Sequence, residues 1–133
     1  MAHELDDQWT LYIVRNIGGG VFDAVVDGKL NIRVRQDGTG NLDPAYSNHD
    51  PGGMNPNRLD GRVTTSGTGY QVGFTETLAN GHHRDYTGAL ATRIHGTLVM
   101  AGVRGPERVT LAKKNRGKAL TGQEDGVWVA TKP

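Results

Sequence analysis

Residues 59–102 constrain the fold most, because their polarity alternates in short runs that Gly, Asn or Thr interrupt. The runs read LDGRV, GYQVGFTETL, HHRDYTGALA and RIHGTLVMAG. Runs of this kind, spaced about ten residues apart, are typical of consecutive antiparallel strands joined by hairpins. Such a sheet can close into a barrel, whose natural binding place is its interior mouth.

The same pattern extends over most of the chain. It predicts strands at 8–14, 21–26, 29–36, 58–64, 69–78, 82–91, 93–101, 107–113 and 126–132. The dipeptides Asp27-Gly28, Asp37-Gly38 and Asn80-Gly81 are hairpin signals. A segment dense in Pro, Gly, Asn and Asp predicts a long loop at about 41–57. We therefore expect an all-β chain, with residues 1–133 forming a single antiparallel up-and-down barrel of eight or nine strands.

Composition excludes several classes of function. A net charge of +1 gives no electrostatic reason to expect nucleic acid or an anionic membrane as a partner. The basic run at 113–118 contains no aromatic residue and is interpreted as a solvated loop. The absence of cysteine excludes disulfides and thiolate nucleophiles. Without a bilayer-length apolar run or a signal-like N-terminus, the expected location is cytoplasmic, or secreted if a signal peptide has been removed.

Strand alternation predicts which side chains face the lumen. The inward set is Tyr70, Val72, Phe74, Glu76, Leu78, His82, Arg84, Tyr86, Leu90, Ile94, Leu98 and Met100. A carboxylate at Glu76 inside the barrel would need Arg84 or a comparable donor. One hypothesis is a ligand or acid/base site built from Glu76, His82 and Arg84. The alternative, which we favour, is an ion pair that fixes the barrel register.

The order of these runs resembles the strand succession of the avidins and streptavidins. Residues 30–47 read LNIRVRQDGTGNLDPAYS, and the ending Trp128-Val129-Ala130-Thr131 is similar to that of the wider calycin group, which includes lipocalins. The resemblance implies a calycin-like barrel, a ligand contact from Tyr46 and a homo-oligomer, either a dimer or a tetramer.

The same resemblance argues against biotin as the ligand. Leu78 and Leu98 occupy positions where avidins carry tryptophans that wall the pocket, and His82 and Arg84 replace small hydroxyl residues. Two missing aromatic walls remove much of the contact area that clamps a ring system. We therefore expect a different ligand.

The expected function is non-catalytic binding of a small, mostly apolar molecule in the barrel mouth. The predicted ligand-binding residues are Tyr46, Tyr70, Phe74, Glu76, Leu78, His82, Arg84, Tyr86, Leu98 and Met100. One alternative is a cyclase or isomerase with Glu76 or His82 as its acid/base group. Another is a protein-interaction module with a packed lumen. No cofactor is expected. No metal is expected either, because adjacent strand residues such as His82 and His83 point to opposite faces and cannot chelate one ion.

Overall fold

The computed structural model describes residues 3–53, 55–67, 69–94, 96–109 and 126–133, with the backbone alone at 91–94. Its strands are β1 (Asp7–Gly18), β2 (Val21–Ile32), β3 (Asn48–Asp50), β4 (Asn57–Ser66), β5 (Gly69–Thr77), β6 (His83–Ile94), β7 (Thr97–Arg104) and β8 (Gly126–Lys132). Each strand is antiparallel to its neighbours, and the eight close into a barrel in chain order. The predicted all-β class and eight-stranded closure are confirmed. None of the described residues form a helix that is long and apolar enough to cross a bilayer.

The N-terminal strand closes the barrel. On one side β1 pairs with β2 from Asp7 opposite Ile32, and on the other it pairs with β8 from Thr10 opposite Thr131. The structure makes it the seam between the first and last strands of the barrel.

The glycine dipeptides have two different structural roles. Asn80-Gly81 forms the predicted β5–β6 turn, with Gly81 at φ 85° and its N–H donating to the Leu78 carbonyl at 2.9 Å. Asp27-Gly28 was predicted as a hairpin, and that prediction is wrong. It forms a bulge inside β2, where the pairing with β1 shifts register and Gly28 takes φ 80°. The two strands predicted on either side of it are therefore one.

The segment at about 41–57 is partly ordered by pairing. It contains β3, whose His49 lies opposite Leu30 of β2 and opposite Asn57 of β4. Isolated bridges join Asn41 to Arg62 and Leu42 to Val34. Most of the connection from β2 to β4 is thereby held against the barrel wall.

The strand predicted at 107–113 lies mostly outside the described residues. Of its members the structure describes 107–109, where Arg108 forms one bridge with His83. The rest of that prediction and the basic run at 113–118 cannot be compared with the structure.

The lumen follows the predicted alternation. Val72, Phe74 and Glu76 on β5 are all buried. Side chains from the other strands complete the core around them, and the largest are Trp9, Leu11, Leu30, Leu59, Tyr86, Met100 and Trp128. Near its middle the barrel is filled by aromatic rings, since Trp128 lies 6.2 Å from Phe74 and 6.0 Å from Tyr86 between ring centroids.

The two ends of the barrel differ. At one end, the N-terminal segment folds across the opening: Leu5 is fully buried and its carbonyl accepts from Trp9 Nε1 at 2.9 Å. Lys132 Nζ donates to the carbonyls of Glu4 and Asp6 at 2.8 and 2.6 Å. The other end is lined by charged and polar side chains, and we call it the polar mouth.

Candidate functional site

Six side chains from six strands meet at the polar mouth. They form the mouth cluster, which comprises Asp27 (β2), His49 (β3), Asn57 (β4), Glu76 (β5), Tyr86 (β6) and Arg104 (β7). The bulge in β2 brings Asp27 to the cluster, and the short β3 places His49 beside it. The cluster is therefore a product of the irregular parts of the sheet as much as of the regular strands.

Glu76 is the centre of the cluster and is 1 % exposed. Its Oε2 accepts from Asn57 Nδ2 at 2.7 Å and contacts His49 Nδ1 at 2.7 Å. Its Oε1 accepts from the Tyr86 hydroxyl at 2.7 Å. Three short hydrogen bonds compensate the loss of water around this carboxylate. Sequence reasoning required a donor for Glu76, and the structure supplies these three.

His49 has an acceptor at each ring nitrogen. Nδ1 faces the Glu76 carboxylate, and Nε2 lies 2.6 Å from the Asp27 carbonyl oxygen. A neutral imidazole has only one N–H, so only the doubly protonated ring can donate to both. The geometry thus describes an imidazolium paired with a carboxylate, with side chains 6 % and 2 % exposed.

The electrostatics of the pair agree with this assignment. Burial alone would lower the pKa of His49, but the hydrogen bond and charge of Glu76, helped by Asp27, raise it above its ordinary value. Burial likewise would raise the pKa of Glu76, but His49, Tyr86 and Asn57 lower it. Burial and the neighbouring Glu76 charge raise the pKa of Tyr86 strongly, so its hydroxyl stays a donor.

These shifts give the pair a defined pH window. The raised pKa of His49 gives stabilisation that is complete below about pH 6.5 and is lost as pH rises through the folded-state value. The lowered pKa of Glu76 gives stabilisation that is present above about pH 4.5 and is lost as pH falls through its folded-state value. We expect the stability of the wild type relative to the double variant His49→Leu/Glu76→Met to be highest between about pH 4.5 and 6.5. Urea unfolding across the pH range measures it, and a pH-independent difference would contradict the ion pair.

Arg104 joins opposite walls of the mouth. Its Nη1 lies 3.3 Å from Asp27 Oδ2, although β1 and β8 separate their two strands in the barrel order. The guanidinium carbon stands 6.0 Å above the centroid of the Tyr86 ring, a cation–π contact. Arg104 Nε is buried and has no hydrogen-bond partner among the residues described. One donor in the mouth is therefore left unused.

The structure brings some of the predicted ligand-binding residues together. Glu76 and Tyr86 belong to the mouth cluster, and Arg84 lies directly opposite Glu76 in the β5–β6 pairing. His82 stands just before β6, where its Nδ1 lies 2.7 Å from Glu107 Oε2. The hydrogen bond from His82 lowers the pKa of Glu107.

The remaining predicted residues are spread along the barrel. Phe74 and Met100 lie in the middle of the core, and Leu78 lies just after β5. Tyr70 and Leu98 pack against the core, and the Tyr70 ring lies 4.9 Å from that of His3 in the N-terminal segment that covers one end of the barrel. Tyr46 lies outside the lumen: it is 61 % exposed, and Arg33 stacks on its ring at 5.3 Å. These ten residues therefore do not form one surface.

A second polar cluster, formed by Thr75, Asp85 and Arg108, lies on the outside of the barrel. The Arg108 guanidinium donates to both Asp85 carboxylate oxygens, at 2.9 and 2.8 Å, and Thr75 also donates to Asp85 at 2.7 Å. The backbones of His83 and Arg108 exchange two hydrogen bonds of 2.8 Å. These hydrogen bonds hold the segment after β7 against the start of β6.

Four members of the mouth cluster were not found from the sequence. His49 and Asp27 lie at irregular positions, where period-two alternation carries no information. Asn57 is the first residue of β4, two residues before the buried Leu59, and it falls just outside the strand predicted at 58–64. Arg104 lies four residues after the inward Met100 on β7, so strand alternation predicts that it also faces inward, and it could have been identified from the sequence. No group of three or more His, Asp or Glu side chains in the described part of the chain is arranged to hold a metal ion.

Comparison with protein-family models, with curated proteins and with solved structures found no match to this chain.

Proposed function

We propose that this chain binds a small, mostly apolar molecule at the polar mouth and does not transform it. The ligand would carry one negatively charged or strongly accepting group. The proposal keeps the kind of function that the calycin resemblance implies and assigns it to one end of the barrel. A mouth position is favoured over a deep one because Trp9, Trp128 and Tyr86 fill the described lumen and are fully buried.

The unused donor of Arg104 is the observation that carries the proposal. A buried N–H without an acceptor costs about 1–3 kcal/mol, so native proteins rarely leave one unsatisfied. A carboxylate or similar group in the mouth could accept this N–H and remove that cost. The planar guanidinium presents several N–H donors in a fixed geometry, which suits it to hold an anionic group.

The wall next to Arg104 is bare backbone at Gly126, and apolar side chains follow on β1 and β2. The direct partner of Arg104 on β8 is Gly126, where an added Cβ would have only the Val14 carbonyl within contact distance, at 3.9 Å. On the far side of β1, Val25 pairs with Ile13 and is 36 % exposed. An apolar part of the ligand could lie against Ile13 and Val25 while the charged end of the ligand meets Arg104.

The mouth cluster itself favours binding over acid/base chemistry. Both nitrogens of His49 are engaged, and both oxygens of Glu76 accept hydrogen bonds within the cluster. A general base needs a free lone pair within reach of its substrate. The His49–Glu76 pair therefore supports the shape of the mouth, and the proposal gives it no chemical step.

Replacing Arg104 with methionine tests the proposal, with dodecanoate as the probe and dodecanol as its uncharged counterpart. We expect saturable dodecanoate binding by isothermal titration calorimetry, with dodecanol weaker. Arg104→Met should weaken dodecanoate binding by roughly 10- to 100-fold, the value of one charge-assisted contact.

The matched control is Arg58→Met, since Arg58 is 61 % exposed and pairs with Asp60 on the outer wall. This variant should bind dodecanoate like the wild type. Absence of saturable binding in the wild type, or equal affinities of the two arginine variants, would overturn the proposal. Thermal unfolding of both variants shows whether a loss of binding merely reflects a loss of fold.

A further inference from the structure

One outer surface of the barrel is apolar over four adjacent strands, and the exposed Lys29 of β2 lies at its border, where it donates to Thr10. The apolar face consists of Phe22, Ala24 and Val26 on β2, Tyr12 and Val14 on β1, Val127 and Val129 on β8, and Ala101 and Val103 on β7. The pairing registers place these residues side by side: Val26 opposite Tyr12, Tyr12 opposite Val129 and Val129 opposite Ala101. Directly opposite residues share a face of the sheet. The buried Ile13 and Trp128 point the other way, so this face is the outer one.

The apolar face is exposed to an unusual degree. Phe22 is 62 % exposed, Val26 57 %, Val103 55 % and Val127 45 %. Single exposed apolar residues are normal, but a contiguous patch marks an interaction surface. The outer wall of β4 shows the contrast, because its outward positions are Arg58, Asp60, Arg62 and Thr64.

We propose that the apolar face is the interface of a symmetric dimer of this chain. In a two-fold dimer the same patch meets itself, so any charge on it would face a like charge nearby. The apolar face has none, which makes it electrostatically compatible with its own copy. Two such sheets can pack face to face at about 10 Å with Val and Ala side chains interdigitating.

The chemistry of the face fits a second copy better than other occupants. Homodimer interfaces are the more apolar class, whereas interfaces with unrelated partners are about as polar as ordinary surface. Surfaces that lie on membranes combine apolar residues with Lys and Arg. The nine residues of the apolar face include no Lys or Arg.

The size of the face is adequate for a dimer that dissociates on dilution. Strands about 4.8 Å apart and outward residues about 6.8 Å apart give a planar footprint of roughly 400 Å². Protruding side chains make the accessible area larger than the footprint. The footprint is about half of the roughly 800 Å² per partner of a standard interface, which fits a dimer that dissociates on dilution.

Sedimentation velocity over two decades of protein concentration tests the dimer. The wild type should approach a mass twice the 14.3 kDa of one chain at high concentration. Val127→Glu should remain a monomer, because the dimer would bury two carboxylates without partners. The matched control is Thr64→Glu at an exposed outward position of β4, and it should dimerise like the wild type.

Val103→Lys provides a second disruption of opposite charge, and far-UV circular dichroism shows that each variant is folded. A wild type that stays monomeric throughout would overturn the proposal, as would a folded Val127→Glu that still dimerises. Flotation of a monomeric wild type with phosphatidylcholine–phosphatidylserine vesicles would overturn it in favour of a membrane surface. The result does not depend on dodecanoate binding, so the two proposals fail separately.

Discussion

Replacing His49 with leucine is expected to lower the free energy of unfolding by about 3–5 kcal/mol, the usual cost of breaking a buried ion pair from one side. Glu76 is 1 % exposed in the wild type, and the variant leaves its carboxylate with Asn57 and Tyr86 as the remaining donors in the cluster. Leucine also leaves the Asp27 carbonyl without the donor that His49 Nε2 provides. Urea unfolding near pH 5.5, inside the window of the pair, gives the largest effect.

A double-mutant cycle separates the pair from general packing. His49→Leu/Glu76→Met replaces both partners with apolar side chains, and we expect it to be clearly more stable than His49→Leu alone. The control pair is Arg15–Asp23, whose side chains are 57 % and 37 % exposed at 2.8 Å. Arg15→Ala should change stability little, because exposed ion pairs contribute little. A double variant no more stable than the single one would show that the pair is not the source of the loss.

Replacing Gly88 with alanine is expected to cost about 1–3 kcal/mol or more, through overpacking of the barrel wall. Gly88 lies directly opposite Gly102, and the Trp128 ring crosses this pair on the inside. A Cβ at Gly88 would lie against the Ala101 carbonyl and 2.7 Å from Trp128 Cζ2. Neither the strand backbone nor the fully buried indole can move away easily.

Gly73 provides the matched comparison on β5. A Cβ there would meet nothing within 4 Å, and its φ is not in the left-handed region. Gly73→Ala should therefore be neutral or slightly stabilising, because alanine restricts the unfolded chain more than glycine. Thermal unfolding of the two variants side by side measures the difference. Equal melting temperatures of Gly88→Ala and Gly73→Ala would mean that a Cβ at position 88 does not clash with the Trp128 indole.

The lumen could be predicted from sequence wherever the strands are regular. Alternation on β5 identified Phe74 and Glu76 as inward, and the structure places both in the core. His49 could not be found in this way, since it lies in a three-residue strand within a segment rich in turn residues. A strand so short has no period to detect. The need for a donor was predictable, but its identity depended on tertiary structure.

The dipeptide Asp27-Gly28 shows a related limit. An Asp-Gly pair signals a positive φ and a change in pairing, and both occur at Gly28. Hairpins and bulges share that requirement, so the local sequence could not distinguish them. The structure adds a reason for glycine: a Cβ here would collide with the backbone of Asp50 at the end of β3.

Closure of the barrel by β1 and β8 has a consequence for how the chain folds. Thr10 pairs with Thr131, so the last seam joins residues from nearly opposite ends of the sequence. Contacts this distant are formed slowly, because the loop between them must be closed at a cost in entropy. During synthesis, the edge of β1 that pairs with β8 stays unpaired until β8 has left the ribosome. For that interval the strand offers unpaired backbone groups to any neighbouring chain, which is the period of greatest risk for aggregation.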